Sequence, residues 1–142
     1  MRIALAALVC LLAVPCALGQ TNGNEGADDA PAISISIAKE EKDGTIAEGL
    51  ETIGPNDIPL ICYIDLPTDD STVVKMVIVA VKAVGLRANS NYITVSYKTS
   101  EGENQVAFNA RPASKWPAGS YRVDVFIDGK KAGSKDFKVV AN

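Results

Sequence analysis

A thiol acts as a nucleophile only when a base or a cationic environment takes its proton. Cys62 lies inside an apolar run from Ile58 to Leu66, and the chain contains no histidine. The expected state of Cys62 is therefore a core thiol. Ser-His-Asp and Cys-His catalysis are excluded within this chain, as is histidine-ligated zinc. A Ser-Lys dyad would need a nucleophile elbow, and none is present. Asp65, Asp69 and Asp70 form the only compact acidic cluster in an inter-strand turn. Calcium would need spaced oxygen ligands and a distal Glu, so turn chemistry explains the cluster better. Paired-carboxylate hydrolysis would need a cleft that a small chain with short loops rarely offers. The expectation is a chain that is not an enzyme, with no cofactor and no metal.

Two further groups could bind rather than react. Trp116 could stack on a ligand, although packing beside Tyr121 is the preferred reading, and Tyr63 is a second aromatic candidate for a small-ligand site. The stretch Val73 to Val84 is apolar on both faces, with Val73, Val77, Val79 and Val81 on one and Val74, Met76, Ile78 and Ala80 on the other. One reading makes it a central strand whose outer face is covered by residues 39–57. The sharper reading leaves Val74, Met76 and Ile78 in an exposed patch, and such patches mark partner surfaces.

The elements that must position these residues are short strands. Ile33, Ile35 and Ile37 alternate with small residues, the signature of a half-buried strand. A second strand runs from Ile58 to Leu66. The β-branched density of Val73 to Val84 favours strand over helix. Ile93, Val95 and Tyr97 alternate in a fourth strand, and Val106 and Phe108 in a fifth. The polar turn Ser100 to Asn104 makes these two look like a hairpin. Tyr121, Val123, Val125 and Ile127 alternate in a sixth strand. Asp128-Gly129 is a two-residue hairpin signal, because both central positions of that turn need positive φ. Phe137 and Val139 mark a seventh. Residues 39–57, with Gly44, Gly49, Gly54 and Pro55, read as a loop with a helical turn near 46–52. Seven short strands with turns every 8 to 12 residues predict an all-β sandwich.

The stretch from Trp116 to Lys130 is the most specific in the chain. Trp-Pro-x-Gly-x-Tyr, then an alternating strand, Asp-Gly and a closing strand ending in Phe-x-Val resembles bacterial exported immunoglobulin-like domains. The resemblance covers residues 58 to 140 and implies an antiparallel immunoglobulin-like sandwich. It also implies a corner at Tyr121, whose hydroxyl would bond back to nearby backbone. Antibody-type domains carry Cys two residues after that Tyr. Here Val123 stands there, and Cys62 lies where the partner Cys would be. The resemblance implies fold and not activity.

The N-terminus predicts export. Arg2 is followed by an apolar run from Ile3 to Leu18, about 16 residues, short of the ~20 that span a bilayer. Ala17-Leu18-Gly19 fits a signal-peptidase site, so residues 1–19 are expected to be removed, with no membrane span afterwards. Lipid anchoring at Cys16 is not expected, because Pro15 and Ala13 fit a lipobox poorly. Cys10 and Cys16 would leave with the signal, so no internal disulfide is expected. Residues 20–31 lack large apolar side chains and read as a linker, and 32–142 as the domain. The formal charge of −3 becomes −4 without Arg2, which argues against nucleic acid and anionic membranes as partners. No Asn-x-Ser/Thr acceptor occurs, which fits a bacterial envelope: periplasm or cell surface. The leading expectation is a binding or scaffolding module that meets another exported protein, or itself, through a strand edge or apolar sheet face. The alternatives are an inhibitor or immunity-type protein using a protruding 39–57 or 84–92 loop, and a small-ligand or carbohydrate-binding module.

Overall fold

Side chains on a strand point to alternate faces, so a strand with apolar residues at every second position buries one face only. A computed structural model describes residues 32–141 and shows where each such row goes. The strands are β1 (Ser34–Glu40), β2 (Ile46–Ala47), β3 (Thr52–Ile53), β4 (Leu60–Asp65), β5 (Val73–Ala83), β6 (Ser90–Lys98), β7 (Gln105–Ala110), β8 (Gly119–Ile127) and β9 (Lys130–Val139). They build two sheets, β2-β1-β4-β7 and β3-β9-β8-β5-β6, packed as a sandwich. No helix occurs among the described residues. Every pairing among them is antiparallel except β3 with β9. The proposed signal and linker, with Cys10 and Cys16, lie outside the described residues.

The core is the set of inward rows. Ile37, Leu60, Cys62, Ile64, Val106 and Phe108 face it from the first sheet, and Val74, Met76, Ile78, Val123, Val125 and Phe137 from the second. This corrects the expectation of a patch on β5. Val74, Met76 and Ile78 are each 0 % exposed, because their row faces the opposite sheet. The other row points outward and carries Val77 and Val79. It is flanked by Asp124 and Arg122 on β8 and by Thr94 and Asn91 on β6.

Trp116 and Tyr121 close one end of this core. The Trp116 ring lies 5.8 Å from Tyr92, 5.8 Å from Tyr121 and 6.1 Å from Phe137. Its Nε1 donates to the Asp57 carbonyl at 3.0 Å, so its one polar atom is satisfied inside. The Tyr121 hydroxyl donates to the Pro117 carbonyl at 2.6 Å, the backbone bond that the resemblance implies. At the other end Asp128 (φ 48°) and Gly129 (φ 85°) turn β8 into β9, as the Asp-Gly pair predicts.

Residues 41–57 depart from the expected loop with a helical turn. The chain makes two two-residue strands there and no helical turn. β2 pairs with the end of β1, and the Leu50 N–H donates to the Ile37 carbonyl at 2.9 Å. β3 then lies parallel to β9, and the Lys138 and Val140 amides donate to Glu51 and Ile53. One segment thus pairs with one end of each edge strand, Lys39–Glu40 of β1 and Lys138–Val139 of β9, on the same flank. Strands so short have no periodicity to read. Their structure comes from the unpaired groups of β1 and β9.

Candidate functional site: the open flank of the sandwich

The opposite flank has no such cover among the described residues. The sequence predicts β6 and β7 as a hairpin, but they lie in different sheets. The linking residues are drawn across the sandwich. The Thr99 amide donates to the Thr72 carbonyl at 2.8 Å, the Gly102 amide to Asp69 at 2.8 Å, and the Leu66 amide to Asn104 at 2.7 Å. The Glu103 carboxylate accepts from the Ser100 amide at 2.7 Å. Asp69 therefore serves the turn through its backbone, in line with the turn reading of the acidic cluster. The crossing leaves β6 at one sheet edge and β7 at the other.

Antiparallel ladders alternate between residues bonded to one neighbour and residues bonded to the other. The Leu66 to Asn104 bond fixes this phase for β7. Val106, Phe108 and Ala110 bond to β4, and Gln105, Ala107 and Asn109 turn their N–H and C=O groups to the open side. By the same alternation the Thr99 to Thr72 bond leaves Thr94, Ser96 and Lys98 facing outward on β6. Protein edges are usually blunted by charges, proline or cover. β7 has no charged residue and no proline, and β6 has a single charge, Lys98, at its end.

Between the two edges runs a groove of about 400 Å3, lined by Val95, Tyr97, Val106, Phe108, Glu103 and Gln105 among others. Val95 is only partly buried, and Tyr97 is 44 % exposed. The Tyr97 hydroxyl donates to the Glu103 carboxylate at 3.2 Å. This hydrogen bond, with the adjacent negative charge, pushes the phenol above its ordinary pKa.

Elsewhere the chemistry is inert or structural. Burial pushes the Cys62 thiol up to about 12, so it is no nucleophile near neutral pH. On the outer face of the larger sheet, Arg122 clasps the Asp124 carboxylate at 2.8 and 3.0 Å, and Lys131 approaches it at 3.3 Å. Burial works to raise the Asp124 pKa, but these cations outweigh it and hold the carboxyl below its usual range. A shallow depression of about 740 Å3 beside this network is lined by Ser120, Ser134, Asp136, Lys138 and Glu51 among others. It mixes both charge signs over small residues. Among the described residues no group of three or more His, Cys, Asp or Glu is placed to hold a metal.

The single residues named from sequence as binding candidates are buried or partly buried, whereas the 84–92 segment is largely exposed. Val74, Met76, Ile78 and Trp116 are all core, and Tyr63 is partly buried on the outer side of β4. Sequence reasoning misses the open flank because it expects these two strands to satisfy each other. One signal is available: neither strand carries the charges that would protect an edge.

No protein-family model and no curated protein matches this chain. Among solved structures it is similar to the Pseudomonas fluorescens alkylpurine DNA glycosylase AlkC bound to DNA containing an abasic site analog. The identity is 18 % and the TM-score 0.38, and the likeness covers 75 % of this chain and 30 % of that one. A likeness that distant has no bearing on what this chain does.

Proposed function

We propose that the chain is a non-enzymatic, exported immunoglobulin-like module that binds or scaffolds other polypeptides through a strand edge. The observation that carries this reading is the asymmetry of the two flanks. Residues 41–57 pair with the strand ends on one flank, while β6 and β7 leave the other with unpaired backbone groups, few charges and a groove of mixed apolar and polar lining between them. Such an edge accepts an added strand through main-chain hydrogen bonds, while pockets beside it select side chains. The buried state of Trp116 removes the main support for a stacking site. The inhibitor reading needs a protruding 39–57 or 84–92 loop; residues 41–57 instead lie along two strands, while the 84–92 segment is exposed at Val84 and keeps that alternative.

The test is site-specific photocrosslinking in the native host. A crosslinking residue at Ala107 or Ser96, on the open edges, is expected to capture a second polypeptide. One at Ser134, on the outer face of β9, is expected to capture far less. Equal capture at all three positions, or none at the edges, would count against the proposal.

A further inference from the structure

We infer that the open flank is closed by a second copy of this chain, with β7 pairing antiparallel to its own mate about a twofold axis through Ala107. This inference rests on the reading of the flank as a binding surface and goes on to name the partner.

The backbone selects the register. Residues directly opposite each other in an antiparallel pair share a face, so outward-turned residues must meet outward-turned residues. With Ala107 opposite Ala107, Gln105 falls opposite Asn109 and Asn109 opposite Gln105. Each of these residues offers one N–H and one C=O. Three residues in each of two copies therefore supply six N–H···O=C bonds. A shift of two residues either way moves Asn109 or Gln105 out of the paired stretch. The smallest side chain of the three sits on the axis, opposite its own copy. The Gln105 amide nitrogen already donates to Asp65 Oδ1 at 2.6 Å, which leaves its oxygen to accept from the Asn109 amide across the strands.

Charge points to the same partner. Glu103 lies four residues before Ala107 and Arg111 four residues after it. The Ser100 amide and the Tyr97 hydroxyl fix the Glu103 carboxylate at the mouth of the groove. Arg111 is exposed and makes no ion pair among the described residues. In the twofold arrangement Glu103 of each copy comes opposite Arg111 of the other, twice per dimer. A parallel mate would set like charge against like. The same axis brings the β6 edges to one side and encloses the row of Val95, Tyr97, Val106 and Phe108.

Sedimentation velocity on the intact protein, over a concentration series, tests this. The wild type is expected to shift from monomer to dimer with concentration. Ala107→Pro removes an N–H that faces away from β4, so the native ladder stays whole, and proline is tolerated on an edge. It deletes two of the six bonds, which weakens the dimer roughly thirtyfold at a typical net strength per bond. Arg111→Glu sets carboxylate against carboxylate and is expected to weaken the dimer as well. Both variants should keep the wild-type circular dichroism spectrum, which separates lost association from lost folding. A dimer indifferent to both substitutions overturns the inference. A wild type that stays monomeric throughout also overturns it. If residue 107 of that monomer still crosslinks to a different polypeptide, the binding-module reading survives; if it captures nothing, both fall.

Discussion

Gly119→Ala is the substitution with the most calculable effect on this fold. Gly119 opens β8 at φ +153°, opposite Ala83 of β5 and Val139 of β9. A Cβ there would run into the Lys82 carbonyl oxygen and lie 2.5 Å from Ala83 Cα and 2.8 Å from Ala83 Cβ. The atoms in the way are backbone, so no side chain can swing aside. β5 and β8 must separate locally, beside the Trp116–Tyr121 cluster. Overpacking of this kind costs ~1–3 kcal/mol, and the backbone conformation adds ~1–2 kcal/mol for a residue with a Cβ. Taken at the middle of both ranges, the total of ~3–4 kcal/mol is a large part of the stability of an ordinary domain. With a urea slope of ~1–1.5 kcal/mol per molar, the unfolding midpoint should fall by ~2–4 M. Gly129→Ala is the control. Gly129 also has positive φ, +85°, but nothing within 4 Å of an added Cβ, so only ~1 kcal/mol and under ~1 M is expected. Urea titrations followed by Trp116 fluorescence measure both. If the two variants unfold within ~0.5 M of each other, the steric reasoning at Gly119 is wrong.

Three other outcomes follow from the geometry. Tyr121→Phe removes the donor to the Pro117 carbonyl and should cost ~1–2 kcal/mol, read by the same titration. An unchanged midpoint would mean that the corner bond contributes nothing. Cys62, with a pKa of about 12, should be a thiolate in roughly one molecule in ten thousand at pH 8. Its labelling by a thiol reagent should therefore follow global unfolding, and labelling as fast as a free cysteine would contradict its burial. Asp124 has a folded pKa below its unfolded value, so its contribution is present above about pH 4 and is lost as pH falls through the folded pKa. Arg122→Met should thus destabilise by ~1–2 kcal/mol at pH 7. The gap to wild type should narrow as pH falls below the unfolded value and through the folded pKa in chemical denaturation, and a gap that widens with acid would reverse the argument.

The rows of alternating residues are legible in the amino-acid sequence, and so is the face that most of them bury. Ile33-Ile35-Ile37 and Tyr121-Val123-Val125 need only the strand period, and Asp128-Gly129 only turn chemistry. The faces of β5 are not legible. A strand apolar on both sides gives no cue to which row is inward, and a one-residue rotation exchanges them. The pairing of β6 and β7 escapes for a related reason. A five-residue polar turn suits a hairpin, yet backbone bonds from Thr99, Gly102 and Leu66 carry the chain to the other sheet. Those bonds join residues far apart in the chain, and local spacing does not report them. The candidate site is therefore the least readable part, since it consists of what fails to pair.

The covered flank has a consequence for assembly size. A sandwich with two bare edges can accept a neighbour on each side, and every added copy presents a fresh edge, so growth is open-ended. In this chain β2 and β3 take up one end of β1 and one end of β9, which shortens the edge left on that side. In the twofold pair proposed above β7 is used in both copies, and a contact of that kind closes on itself. Two strands of two residues each would thus add to symmetry in favouring a finite complex over a fibre.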